Sequence, residues 1–115
     1  LHRDRYQVLM AVLTVSEALL ADVNNYLDNT WKDEARDRKI LGFIRSGMVR
    51  INKWLGKEAD YESDGDPRTL LFEYVRYARA GALDVFEHNF RHAILRAQNR
   101  RRIARYAKTN EPAAL

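Results

Sequence analysis

The chain has no cysteine, so neither disulfides nor thiolate metal sites are open to it. Proline occurs only twice, at Pro67 and Pro112, and glycine five times in 115 residues. So few breakers argue for long helices. No apolar run approaches the roughly 20 residues that a membrane-spanning helix requires; the longest, Val8–Val15, is interrupted by Thr14. Serine stands only at Ser16, Ser46 and Ser63, and none lies in a nucleophile elbow. Phosphate-binding and dinucleotide-binding glycine motifs are missing too. The sequence therefore points away from an enzyme, and no cofactor is expected.

What is present is a split in charge. The first 90 residues hold 13 Lys+Arg and 15 Asp+Glu, a net of −2. Residues 91–108 hold Arg91, Arg96, Arg100, Arg101, Arg102, Arg105 and Lys108 and no acid. Six of these seven are arginine, which favours bidentate contact with carboxylate or phosphate over simple solubilisation. Ile94, Ala97, Ile103, Ala104 and Ala107 keep a helical period there, but the apolar side is thin. The expectation is a solvated helix or an arm that docks on something else, a phosphate or an acidic protein surface, because so thin a face cannot bury itself in its own small domain.

The body reads as three helices. Ser16 opens the first, which runs to about Leu27 with Leu19, Leu20, Val23 and Leu27 on one stripe. Asn29 or Thr30 can cap the second, with Trp31, Asp33 and Glu34 in its first turn. That helix runs to Leu55 with Ile40, Ile44, Met48, Ile51 and Leu55 on one face, widened by Phe43 and Trp54. Gly42 and Gly47 lie inside it, each at a cost of about 1 kcal/mol relative to alanine; close backbone packing is the reading preferred for Gly47. After Gly56 comes an acidic loop carrying Glu58, Asp60, Glu62, Asp64 and Asp66, a candidate contact between subunits. Asp66 is expected to cap a third helix with Pro67 at its first position, running to Phe90. Its stripe is Leu70, Leu71, Tyr74, Val75, Ala78, Ala82, Val85 and Phe86. Ala78, Gly81 and Ala82, with Ala80, make its centre thin enough for a neighbouring helix. Tyr6–Val15 alternates weakly and fits an extended arm or a helix turn.

Two constellations resemble metal sites and fail. Read as a calcium loop from Asp60, the acidic segment has Gly65 at the sixth position but Leu71 where a bidentate glutamate belongs. His88 and His92 have helical i, i+4 spacing without a third ligand pattern. No metal is expected. The fold class is all-α: a small bundle on a long antiparallel helix hairpin, residues 1–90, followed by a basic helical or extended arm, residues 91–115.

The order of segments from Val15 to Phe90 carries a resemblance. It consists of Asp22-Val23-Asn24-Asn25-Tyr26-Leu27-Asp28, Thr30-Trp31-Lys32-Asp33-Glu34, Lys39-Ile40-Leu41-Gly42-Phe43-Ile44-Arg45-Ser46-Gly47, and Leu70-Leu71-Phe72-Glu73-Tyr74-Val75-Arg76-Tyr77-Ala78-Arg79 leading to Ala82-Leu83 and Phe86-Glu87-His88-Asn89-Phe90. The chain thereby resembles the head–tail connector (adaptor) proteins of tailed phages, over about two thirds of its length. The resemblance implies a structural protein of the virion neck, made in the host cytoplasm and assembled as a homo-oligomeric ring of about a dozen copies. It further implies a portal protein on one side, a tail or stopper protein on the other, and DNA passing through the channel, with no membrane involved. A C-terminal arm that docks on the portal would correspond to Phe90–Lys108. The rival from the residues alone is a small nucleic-acid-binding protein using the arginine segment, and a helical regulatory subunit is a third option.

Overall fold

A computed structural model describes residues 14–109 and holds, among them, five helices and no strand. These are α1 (Glu17–Tyr26), α2 (Glu34–Leu55), α3 (Asp66–Arg79), α4 (Leu83–Asn89) and α5 (Arg91–Thr109). The all-α class is as the sequence implies. The stretch Leu1–Thr14, expected as an arm or helix turn, lies outside the described residues except for Thr14. None of the helices is long and apolar enough to cross a membrane.

α1 begins where Ser16 accepts the Leu19 amide hydrogen at 3.0 Å, an N-cap worth about 1 kcal/mol. It ends in a Schellman turn: Asn29 N–H donates to Asn24 O and Asp28 N–H to Asn25 O, with Asp28 in the left-handed region at φ 60°. The cap of α2 is neither Asn29 nor Thr30, as expected, but Asp33, whose carboxylate accepts from Arg36 N at 3.1 Å. Asn29 instead binds back to Asn24, and Trp31 stands outside the helix. Asn29 is committed to the turn that ends α1, which leaves Asp33 as the cap, its carboxylate also suiting the positive end of the helix dipole.

Ile40, Ile44, Met48, Ile51 and Leu55 are all buried, so the stripe expected on α2 is its core face. α3 returns along it. Arg79, the last residue of α3, donates to Leu27 O and Asn29 Oδ1 beside the start of α2, which makes the hairpin antiparallel. The two helices meet at Gly47: a Cβ there would lie 2.8 Å from both Leu71 Cδ1 and Tyr74 Cδ1. Gly42, one and a half turns earlier, faces open space.

The third helix differs from expectation in three ways. Its N-cap is Gly65 with no side-chain bond, so Asp66 is its first residue and Pro67 its second. It stops at Arg79 instead of continuing to Phe90. Gly81, at φ 70°, occupies the left-handed position of a second Schellman turn, in which Ala82 N–H reaches Tyr77 O and Gly81 N–H reaches Ala78 O. Ala82 then precedes the short helix α4. Ala78 is buried, Ala82 half-buried and Gly81 exposed, so the thin centre is a bend rather than a seat for another helix. Beyond the bend, Val85 leaves the core stripe and is exposed.

Phe86 holds the folded-back α4. It stacks on Trp54 at 6.1 Å and on Phe90 at 4.8 Å, and takes the edges of Tyr74 and Tyr77 at 5.5 and 5.4 Å. α5 follows after one non-helical residue and places Ile94 and Ala97 in the common core. The segment after Phe90 therefore does bury part of itself, contrary to expectation: two small or branched residues suffice where the hairpin end offers an apolar surface.

The two α2 glycines give opposite expectations. Gly42→Ala should raise stability in urea titrations by about 1 kcal/mol, because the change adds helix propensity and meets nothing. Gly47→Ala should lower it by about 1 kcal/mol, since overpacking against buried Leu71 and Tyr74 costs more than the propensity gains.

Candidate interaction surface

Among the described residues no group of three or more His, Cys, Asp or Glu is placed to hold a metal. His88 and His92 fall on two different helices, either side of the Phe90 break. What the fold does build is a charged end, where the close of α2, the acidic loop and the middle of α5 meet.

The loop is pinned from beneath. Tyr61 is buried, and its hydroxyl donates to Asn52 Oδ1 at 2.6 Å, with the Met48 carbonyl oxygen 3.3 Å away. Asn52 Oδ1 also accepts from Ala59 N at 3.0 Å, so one amide side chain fixes both loop and ring. Above this anchor Glu58, Asp60, Glu62 and Asp64 are exposed. Several are already engaged within the chain. Asp60 accepts from the Glu62 and Ser63 amides, which holds its carboxyl below the usual aspartate value. Glu62 accepts from the Ser16 hydroxyl at 2.8 Å, and Asp64 lies 3.9 Å from Arg68. Arg68 in turn joins three elements, donating to Asp22 of α1 and to Tyr61 O while lying over the Phe72 ring.

The basic residues divide into two groups. Gln98 donates to Trp54 O and Arg101 to Leu55 O, closing carbonyls that the end of α2 leaves without helical partners. Arg100 binds both carboxylate oxygens of Asp66, at 2.9 and 3.0 Å. Thus Arg100, Arg101 and Asp66 serve this chain's own fold. The Arg100 side chain is 68% exposed, which limits that ion pair to about 1 kcal/mol or less. Beyond Arg101 the helix continues for eight residues, about 12 Å at 1.5 Å per residue. There Arg102, Arg105 and Lys108 are exposed, as are Ile103 at 66% and Tyr106 at 70%. Arg91 and Arg96 are exposed on the first half of α5.

Between the end of α2 and α5 runs a groove of about 420 Å³. Lys53, Arg101, Arg102 and Arg105 line it, Trp54 and Leu95 give it apolar surface, and no acid borders it. The far end of α2 carries a contrasting feature. Trp31, in the α1–α2 turn, is 65% exposed, with the Arg36 guanidinium 5.7 Å from its ring centre. Arg36 is itself held by Asp37 at 3.1 Å. Neither Trp31 nor Lys53 stood out in the sequence. An aromatic residue just ahead of the true cap, Asp33, was the available signal for the first, and its misplacement inside the helix concealed it.

No protein-family model, no curated protein and no solved structure matches the chain.

Burial and the nearby Glu58 charge push the Tyr61 phenol well above its ordinary value of 10.0. The folded state thus favours the neutral phenol. Its contribution is intact below about pH 10, where the unfolded chain's tyrosines begin to ionise, and is lost as pH rises further. Urea midpoints of the wild-type protein should fall above pH 10. Tyr61→Phe should cost about 1 kcal/mol at neutral pH through its lost hydrogen bond, yet fall less steeply in alkali. Some slope should persist, because the Tyr26 phenol is also raised, chiefly by its hydrogen bond to Glu73.

Proposed function

We propose that this chain is a non-catalytic head–tail connector of a tailed phage. In that role it assembles as a ring of about a dozen copies under the portal, receives a tail or stopper protein, and leaves a channel for DNA. Its place would be the virion neck, reached from the host cytoplasm during assembly. The observation that carries the reading is the projecting half of α5. Ile103 and Tyr106 are exposed there between Arg102, Arg105 and Lys108, past the last residues of α5 that reach the core. Two exposed apolar side chains on a helix that leaves its own domain are a docking element in search of a larger surface. The ordered resemblance from Val15 to Phe90 supplies the identity of that surface, and it spans the hairpin and the α4 bend.

A second reading has one specific observation in its favour. Lys53, Arg101, Arg102 and Arg105 share a groove with no acid, an arrangement that also suits phosphate. This reading makes the chain a small nucleic-acid-binding protein.

The two readings separate in one set of measurements. Under the connector reading, light scattering should show assemblies of the chain, alone or with a portal protein of the same phage. Changing Arg102, Arg105 and Lys108 together to alanine should weaken portal docking at least tenfold and leave the helical circular dichroism spectrum unchanged. Under the nucleic-acid reading the isolated chain should bind duplex DNA with a steep salt dependence, and the same change should reduce that slope by about 2–3 in log K against log salt. A strictly monomeric chain that ignores the portal would remove the connector reading.

A further inference from the structure

We infer that Trp31 of one copy seats in the groove between the end of α2 and α5 of a second copy. The inference rests on the self-assembling connector reading and names the contact through which copies join.

Three properties fit together. The first is shape. Trp31 stands out from a turn that is fixed on both sides, by the Schellman end of α1 and by the Asp33 cap of α2. Arg36 lies over its ring, so the indole is presented on an ordered base rather than on a loose loop. A rigid, mostly exposed tryptophan is the side chain most often found as the anchor of a protein interface. The groove's volume of about 420 Å³ falls within the range of about 300–1,000 Å³ typical of sites that enclose a compact group.

The second is charge. Residues 28–37 carry Asp28, Asp33, Glu34 and Asp37 against Lys32 and Arg36, a net of −2, with Arg36 itself held by Asp37. The groove presents Lys53, Arg101, Arg102 and Arg105 and no acid. An indole entering between arginines also gains from guanidinium stacking on its face. The acidic loop is a weaker candidate for the same groove. Asp66 is already bound to Arg100, and Tyr61, its one large apolar side chain, is buried in its own core.

The third is position. Trp31 precedes the first turn of α2, and Lys53–Leu55 form the last. The 22 residues of α2 span about 33 Å at 1.5 Å per residue, so Trp31 cannot reach the groove of its own chain. Each copy therefore offers one knob and, at the opposite end of the same helix, one socket. Such a pair is heterologous, the type of contact that closes rings.

The chain lends itself to a complementation test. Trp31→Ala removes the knob, and Leu95→Glu, at an exposed groove position, spoils the socket. Circular dichroism spectra should match the wild type, because both residues lie outside the core. Each variant alone should be monomeric at concentrations where the wild type assembles, with a dissociation constant raised about thirtyfold or more. An equimolar mixture retains one intact knob and one intact socket and should stop at a dimer. Raising salt from 50 mM to 500 mM should weaken wild-type assembly. Where assembly requires the portal protein, copies bound per portal replace solution mass as the readout. If both variants assemble as the wild type does, the Trp31 contact is overturned while the connector reading stands. If the wild type stays monomeric with and without portal, both fall.

Discussion

The missing side chain at Gly47 is the constraint from which the rest of the architecture follows. It lets Leu71 and Tyr74 approach the α2 backbone where a methyl group would lie 2.8 Å from each. Tyr74 is thereby set at a fixed depth and turns its edge to Phe86, whose ring also meets Trp54, Tyr77 and Phe90. This aromatic group folds α4 back against the hairpin. Phe90 O then accepts from Ile94 N at 2.8 Å and hands the chain to α5 with little freedom of direction. The direction of the basic helix is then held by its own bonds to the hairpin, from Gln98 and Arg101 to the end of α2 and from Arg100 to the start of α3.

The parts of this fold legible in the sequence are those governed by local periodicity. Ile40, Ile44, Met48, Ile51 and Leu55 announce a buried stripe, and all five are in the core. Gly47 is legible for a similar reason, since a mid-helix glycine among large apolar residues needs an explanation. The bend at Gly81 was also in reach: an alanine-glycine-alanine step is a good helix end, but alanine is equally the best helix former, and the continuing stripe to Phe86 favoured one long helix. Arg101 shows where local reading stops. Whether an arginine is solvated, docks on a partner or closes the Leu55 carbonyl depends on which helix end lies opposite. That is a tertiary fact with no local trace. The same holds for the partner of the buried Tyr61, Asn52, a pairing that no local pattern announces.

Both ends of the bundle are unfinished in the same sense. Trp31 at one end and Ile103 and Tyr106 at the other expose more apolar surface than their neighbours need. A domain of this length has a high ratio of surface to core, so added burial from association contributes proportionally more than it would in a large protein. The charge pattern is consistent with this. Within the chain the opposite charges that meet, Arg68 with Asp22 and Arg100 with Asp66, stitch neighbouring elements together. Residues 91–108 carry seven basic side chains and no acid, so positive charge is concentrated along the last helix.

The division of the basic helix decides how any charge substitution in it is to be interpreted. Replacing Arg100, Arg101 and Arg102 together would seem the natural probe of an arginine-rich segment, but it mixes three roles. Arg100 bridges to the first turn of α3, Arg101 closes the last turn of α2, and Arg102 bonds through its Nη2 to Asn99 on its own helix. Loss of binding in that triple variant would follow equally from a loosened α2–α5 seam or from a lost partner contact. Arg102, Arg105 and Lys108 lie beyond the seam and are exposed, so their removal leaves the carbonyls of Trp54 and Leu55 satisfied. Substitutions past Arg101 leave that seam in place, so they change the arm without loosening the end of α2.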